Sequence, residues 1–187
     1  MRVISGSAKG KKLFSPKDAA IRPTSDRVKE SIFNILSFQL RGCIFVDLFC
    51  GSGAMGIEAL SRGSEMVYFF DASRDSIQLT QKNLEHCGLP RDKYSIGQAD
   101  HKTALEALKR KKIQADFIYL DPPYAMEGQD KLLESIVDMD LLTDDGIILL
   151  EFDYSHAPVY DESFLDQIDE RKYGRTGVLF LRKKVMT

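Results

Sequence analysis

From Cys43 onward, short apolar runs alternate with segments whose apolar residues recur at helical spacing. The runs Cys43–Phe49, Met66–Phe70, Tyr94–Ile96, Phe117–Leu120 and Ile147–Phe152 read as strands. Between them, 54–61, 73–87, 102–111 and 129–139 read as helices. Strands that are apolar throughout and separated by helices predict a parallel sheet covered on both faces. The tail predicts two last strands, 164–172 and 178–181, joined through Tyr173-Gly174-Arg175-Thr176-Gly177 as an antiparallel hairpin at the sheet edge. Upstream, Val28, Ile32, Leu36 and Leu40 recur at every fourth position, so a helix starting near Thr24 or Ser25 buries one face. At the start, Val3-Ile4 and Leu13-Phe14 flank a Gly-containing turn and predict a β-hairpin. The division expected is a hairpin arm over residues 1–23 and an α/β domain over 24–187.

Charge changes the picture of that arm. The net charge is −2, yet residues 1–30 hold eight Lys/Arg against three acids, while the other 157 residues hold 18 basic and 25 acidic. A basic arm on an acidic body suggests a polyanion as partner, with Lys9, Lys11, Lys12, Arg22 and Arg27 as its contacts. A solvated surface segment is the plain alternative. The three cysteines form no CxxC pair and the three histidines no HxxxH pair, which argues against a zinc site. Unpaired thiols, no secretory leader and no apolar run of roughly 18 residues lead to the expectation of a cytoplasmic protein off the membrane.

The chemistry concentrates in two motifs. Asp47-Leu48-Phe49-Cys50-Gly51-Ser52-Gly53-Ala54-Met55-Gly56 carries GxGxxG directly after the first strand of the alternating region, and Asp71 ends the next strand. That is the layout of a nucleoside-binding βα unit, with Asp71 and the adjoining Ala72 placed at the ribose. A tight turn needing small residues is the alternative. Asp47 at the strand end suits a pyrophosphate poorly and a cationic ligand well, which tilts the reading from NAD towards S-adenosyl-L-methionine (AdoMet). Phe49, Gly51, Ser52 and Gly53 complete the loop. Asp100 ends the third strand region, either facing an adenine amine or simply capping a helix. Thr24 is placed close to the same cofactor.

The second motif is Asp121-Pro122-Pro123-Tyr124, at the end of the fourth apolar run. Proline gives no N–H to a ladder, so two prolines here need a reason. The lone pair of an exocyclic amine on a nucleobase is delocalised into the ring. Two acceptors holding both N–H groups, the Asp121 carboxylate and the Pro122 carbonyl stiffened by Pro123, aim that lone pair at a methyl donor. Tyr124 offers a face for the base to stack on. A plain turn closing a strand is the alternative. No metal is required.

Asp-Pro-Pro-Tyr resembles the (Asp/Asn/Ser)-Pro-Pro-(Tyr/Phe/Trp) motif of amino-methyltransferases. More narrowly, nearly the whole chain resembles the RsmD-type 16S ribosomal RNA guanine-N2 methyltransferases. The resemblance is carried by Arg2-Val3-Ile4-Ser5-Gly6, Gly10-Lys11-Lys12-Leu13 and Arg22-Pro23-Thr24-Ser25-Asp26-Arg27-Val28-Lys29-Glu30. Phe33-Asn34-Ile35-Leu36, Asp47 to Gly53, Glu58-Ala59-Leu60-Ser61-Arg62-Gly63 and Tyr173-Gly174-x-Thr176 extend it. It implies a class I (Rossmann-like) methyltransferase fold with a seven-stranded, mostly parallel sheet, plus an RNA-binding N-terminal β-hairpin. It implies AdoMet as donor and S-adenosyl-L-homocysteine as product. The implied target is the guanine at position 966, in 16S rRNA or a 30S assembly intermediate, methylated by a monomer. Cys50, where the family usually has alanine, reads as a packing residue. The competing readings are a DNA adenine-N6 methyltransferase, an RNA-binding protein without catalysis, and an NAD-dependent oxidoreductase.

Overall fold

A computed structural model describes residues 1–16, 26–123 and 126–184. Within them, five helices and seven strands follow one another as α1 (Asp26–Ile35), β1 (Ile44–Asp47), α2 (Ala54–Ser61), β2 (Met66–Asp71), α3 (Arg74–Cys87), β3 (Tyr94–Gln98), α4 (His101–Arg110), β4 (Ala115–Leu120), α5 (Gln129–Asp138), β5 (Leu142–Asp153), β6 (Leu165–Tyr173) and β7 (Thr176–Lys183). The strands form one sheet in the order β3-β2-β1-β4-β5-β7-β6. β1 to β5 are mutually parallel, and β7 inserts antiparallel between β5 and β6. This is the class I methyltransferase arrangement that the sequence led us to expect.

Both faces of the sheet are covered, which is why β1, β2 and β4 are apolar at nearly every position. Successive side chains of a strand point to opposite faces. Phe45, Phe69, Phe117 and Leu149 pack with α1, α2 and α3, while Val46, Ile118, Leu120 and Ile148 pack with α4 and α5. Each such side chain, fully buried, contributes roughly 1.5–3 kcal/mol. Strand order reverses between β1 and β4, and in open α/β sheets the ligand crevice lies at that switch point, outside the carboxyl ends of the strands.

Two elements are shorter than the sequence expectation. The N-terminal segment pairs antiparallel at one bridge, Arg2 to Lys12, flanked by hydrogen bonds from Val3 N–H to the Lys11 carbonyl at 2.9 Å and from Leu13 N–H to the Met1 carbonyl at 3.1 Å, so the hairpin is a minimal one. Its Val3, Ala8 and Leu13 belong to the core against α1, α2 and α3, so residues 1–14 are docked on the body. The helix read as running to Leu40 stops at Ile35. Leu36 and Leu40 are still buried, carried by turns, and Phe38 between them is 98% exposed. No helix among the described residues is long and apolar enough to cross a membrane.

Candidate active site

β1 ends on Asp47, and the chain then turns through the glycine loop into α2. Cys50 N–H donates to the Phe70 carbonyl of β2 at 2.9 Å, and Gly53 N–H to the Cys50 carbonyl at 2.6 Å. Gly53 has φ +76°, and a Cβ there would lie 2.8 Å from the Thr80 side chain, so the loop needs glycine on both counts. A Cβ on Gly56 would lie 2.2 Å from the Phe69 ring, so this glycine lets α2 pack directly on β2.

Asp47 is 1% exposed. Its Oδ2 accepts from Gly56 N–H at 3.0 Å, in the first turn of α2, and its Oδ1 has no partner. Burial pushes its carboxyl up to about 7, against the Gly56 hydrogen bond that lowers it. An orphaned, buried carboxylate oxygen is expensive and points to a cationic or N–H-bearing ligand. It also occupies the helix N-terminus where a dinucleotide would place its pyrophosphate, which counts against the NAD reading.

Asp71 ends β2. Its Oδ2 accepts from Gly51 N–H at 2.9 Å and its Oδ1 from Ser73 N–H at 2.8 Å. The carboxylate therefore holds the glycine loop in shape and keeps further lone pairs for a diol. Ala72 is exposed beside it, and Ser52 is buried. The Phe49 ring lies 6.0 Å from that of His101 at the start of α4. Asp100 is the N-cap of that helix, with Oδ1 accepting from Thr103 N–H at 2.8 Å. The cap alternative raised for Asp100 thus describes what its side chain does here. Cys50 is buried, and desolvation drives its thiol far above the ordinary range, so it is no nucleophile.

Asp121 follows β4, and Pro122 is buried behind it. Tyr119 pairs with Asp47 across β1 and β4, and Leu120 pairs with Leu150 across β4 and β5, so Asp121 stands level with Glu151 of β5. Burial raises the Asp121 carboxyl well above the usual carboxylate range, and the negative charges of Glu151 and Asp47 raise it further. The carboxyl edge thus gathers Asp71, Asp47, Asp121 and Glu151 from β2, β1, β4 and β5. Each lies two residues beyond a side chain in the core on the α1–α3 side (Phe69, Phe45, Tyr119 and Leu149), so all four share that face.

Lys9, Lys11, Lys12 and Arg27 are exposed. Arg27 also lines a groove of about 820 Å³ between α1 and β6, together with Arg171, Lys172 and Tyr173. Lys29 departs from the sequence reading, which counted it in the basic arm. It is 0% exposed and faces Glu58 of α2 at 3.5 Å. Thr24, Arg22 and Tyr124 lie outside the described residues.

The family model described as "Conserved hypothetical protein 95" matches residues 1–182. "Putative rRNA methyltransferase YlbH" of Bacillus subtilis is 39% identical over 98% of this chain and 100% of its own length. "Ribosomal RNA small subunit methyltransferase D" of Haemophilus influenzae is 32% identical over 81% of this chain and 78% of its own. This chain belongs to the RsmD-type methyltransferase family. The solved structure "Putative methyltransferase yhhF from Escherichia coli" superposes on this RsmD-type chain with a TM-score of 0.84 at 26% identity, covering 100% of this chain and 99% of that one.

Three residues of this RsmD-type chain were given no role by the sequence reading. Glu151 interrupts the apolar run Ile147–Phe152 and is 6% exposed, and a lone acid inside such a run was the available signal. Glu58 is a fully buried acid within an apolar helix. Asn83 of α3 joins the N-terminal segment to the glycine loop. Its Oδ1 accepts from Phe14 N–H at 2.8 Å, and its Nδ2 donates to the Phe14 and Ser52 carbonyls at 3.0 and 2.9 Å.

Proposed function

We propose that this protein methylates the exocyclic N2 of a guanine in 16S rRNA, within a small-subunit assembly intermediate, using AdoMet. The observation that carries this reading is the juxtaposition, at one sheet edge, of the glycine loop, the orphaned Asp47 oxygen and the rigid Asp121-Pro122-Pro123 turn. The names of the relatives supply the small-subunit rRNA.

The residues present fit the cofactor. Asp71 offers acceptors to a ribose diol, the loop from Phe49 to Gly53 lets the ligand lie against backbone, and Asp47 supplies the acceptor its cationic end calls for. Bound AdoMet supplies a methyl that leaves its sulfonium for the amine nitrogen, while the sulfur keeps the bonding pair as S-adenosyl-L-homocysteine. The chain's own residues orient and deprotonate. Asp121 and the Pro122 carbonyl accept the two amine N–H bonds and set the nitrogen lone pair along the line of attack. As the nitrogen becomes cationic, Asp121 is placed to take its proton, and a carboxyl raised above its ordinary range is the better base for that task.

The deciding experiment incubates the protein and labelled AdoMet with undermethylated small-subunit RNA and with particles, then maps the label. One N2-methylguanine is the expected product. Label at an adenine N6 in DNA, or no transfer despite RNA binding, would replace this reading with one of its competitors.

Two variants test the assignments. Asp71→Ala should weaken AdoMet binding by at least about tenfold in calorimetry, since a diol and the Gly51 amide both lose their acceptor. An unchanged Kd would place the ribose elsewhere. Changing exposed Lys9, Lys11 and Lys12 together to Ala should weaken RNA binding and flatten its log–log salt dependence by up to about 2, at about 0.7 per single-strand phosphate contact. Equal slopes for variant and parent would move the RNA to another surface.

A further inference from the structure

Phe14 is an aromatic side chain left on the surface, and the mechanism above gives it no task. It follows Lys11 and Lys12, and Leu13, buried between Lys12 and Phe14, turns both neighbours outward. The Phe14 ring is 40% exposed and rests on α3. Lys82 Nζ lies 4.0 Å from its centroid, and the His86 ring lies 5.1 Å away, tilted by 58°. Lys82 and His86 are one turn apart and both exposed, while Glu85 between them accepts from Gln81 at 3.0 Å. The basic run of the N-terminal segment therefore continues across an aromatic ring onto a helix of the acidic body. The backbone under that ring is fixed. Asn83, on the buried side of α3, accepts from Phe14 N–H and donates to the Phe14 carbonyl, and it donates to the Ser52 carbonyl of the glycine loop as well. A fixed, part-exposed ring among cations has the composition of a single-strand nucleic-acid platform, with a face for a base and charges for phosphates.

Resting on the rRNA reading, we propose that Phe14, Lys82 and His86 form a second RNA subsite, where an unpaired base of the substrate RNA stacks on Phe14 and Lys82 takes an adjoining phosphate. This base is not the one methylated. Phe14 is held by α3, which links β2 to β3, while Asp121 follows β4 on the other side of β1. Lys82 covers the ring in the free protein, but an exposed cation–π contact is weak, and a base offers stacking across the whole face. The flexible lysine stem carries the ammonium to a phosphate without moving the helix. Through Asn83 the docked strand is held in register with the loop that takes the cofactor.

The chain contains no tryptophan, so Phe14→Trp installs a lone fluorescent reporter at the subsite. Small-subunit RNA should quench that indole by stacking, with an RNA Kd within about threefold of the parent. A fully paired RNA duplex should leave the emission unchanged, since its bases are already stacked on one another. Phe14→Ala should weaken binding of small-subunit RNA by about 5- to 100-fold, the loss of one base–aromatic stack. Lys82→Ala should flatten the log–log salt dependence by about 0.7. AdoMet affinity should stay within about threefold of the parent in each variant, because Asn83 holds the backbone of Phe14 and not its side chain. Phe38→Trp, in the turn after α1 and 98% exposed, serves as the comparison. Equal quenching in Phe14→Trp and Phe38→Trp, quenching by the duplex as strong as by small-subunit RNA, or an unchanged RNA affinity in Phe14→Ala overturns the subsite and leaves the rRNA reading standing. A parent that binds AdoMet but neither binds nor methylates small-subunit RNA removes that reading and the subsite with it.

Discussion

Asp121→Ala is expected to lose about 100- to 10,000-fold in turnover, the range for removing a positioned acid–base group, while AdoMet affinity stays within about threefold of the parent. The split follows from place. Asp121 lies beyond β4, where the proposed mechanism puts the amine, whereas the glycine loop follows β1 and Asp71 ends β2. Single-turnover rates and calorimetry on one preparation measure both. The pH profile adds a sign. Only the ionised carboxylate accepts both an N–H bond and a proton, so activity falls as pH drops through the Asp121 pKa. Burial and the charges of Glu151 and Asp47 raise that pKa in the free protein. The acid limb of kcat/KM, which reports the free enzyme, is therefore expected well above the pH near 4 of an ordinary carboxylate. Full activity in Asp121→Ala would sink the mechanism, and a limb near pH 4 would assign the essential ionisation to another group.

The sheet and its crevice were legible because they rest on local signals. Apolar runs such as Phe45-Val46 need cover on both faces wherever they sit, and GxGxxG or Asp-Pro-Pro marks a turn from composition alone. The end of α1 was not legible. Leu36 and Leu40 continue its apolar spacing and are buried as the spacing requires, yet the backbone between them leaves the helix. Spacing reports which side chains face the core and not whether hydrogen bonds run unbroken between them. The start of β5 was missed for a related reason. The apolar run begins at Ile147 and leaves Thr143, Asp144 and Asp145 outside it, but the strand begins at Leu142, and the β4–β5 register shifts between Ala115 and Phe117 to accommodate them. Buried charges were least legible of all. Nothing near Lys29 in sequence says that a carboxylate 29 positions away will meet it, so exposure was the reasonable expectation for a lysine.

That buried pair has the largest expected effect on stability. Glu58 accepts from Ile4 N–H at 2.8 Å and Ser5 N–H at 3.0 Å, from Arg62 Nε at 2.8 Å, and faces Lys29 Nζ at 3.5 Å. Lys29 in turn donates to the Arg2 carbonyl at 2.5 Å, and burial pulls its pKa down while Glu58 holds it up. Ser61, one turn along α2, accepts from Ala8 N–H with its hydroxyl and donates to the Ser5 carbonyl. The N-terminal segment is thus seated on α2 through polar groups that all need their partners. Glu58→Ala strands a buried ammonium and two backbone N–H groups at once. Breaking a buried pair from one side costs about 3–5 kcal/mol, which for a domain of this size is about 6–20 °C in Tm. Lys29→Met should cost less, because Glu58 keeps Arg62 and both amides while a long apolar chain fills the space. Thermal unfolding of the two variants gives that ranking, and hydrogen exchange should show the Ile4 and Ser5 amides losing protection in Glu58→Ala before the sheet does. If Glu58→Ala unfolds within about 2 °C of the parent, the Glu58 network does not hold the N-terminal segment, and its apolar contacts through Val3, Ala8 and Leu13 seat it on the body.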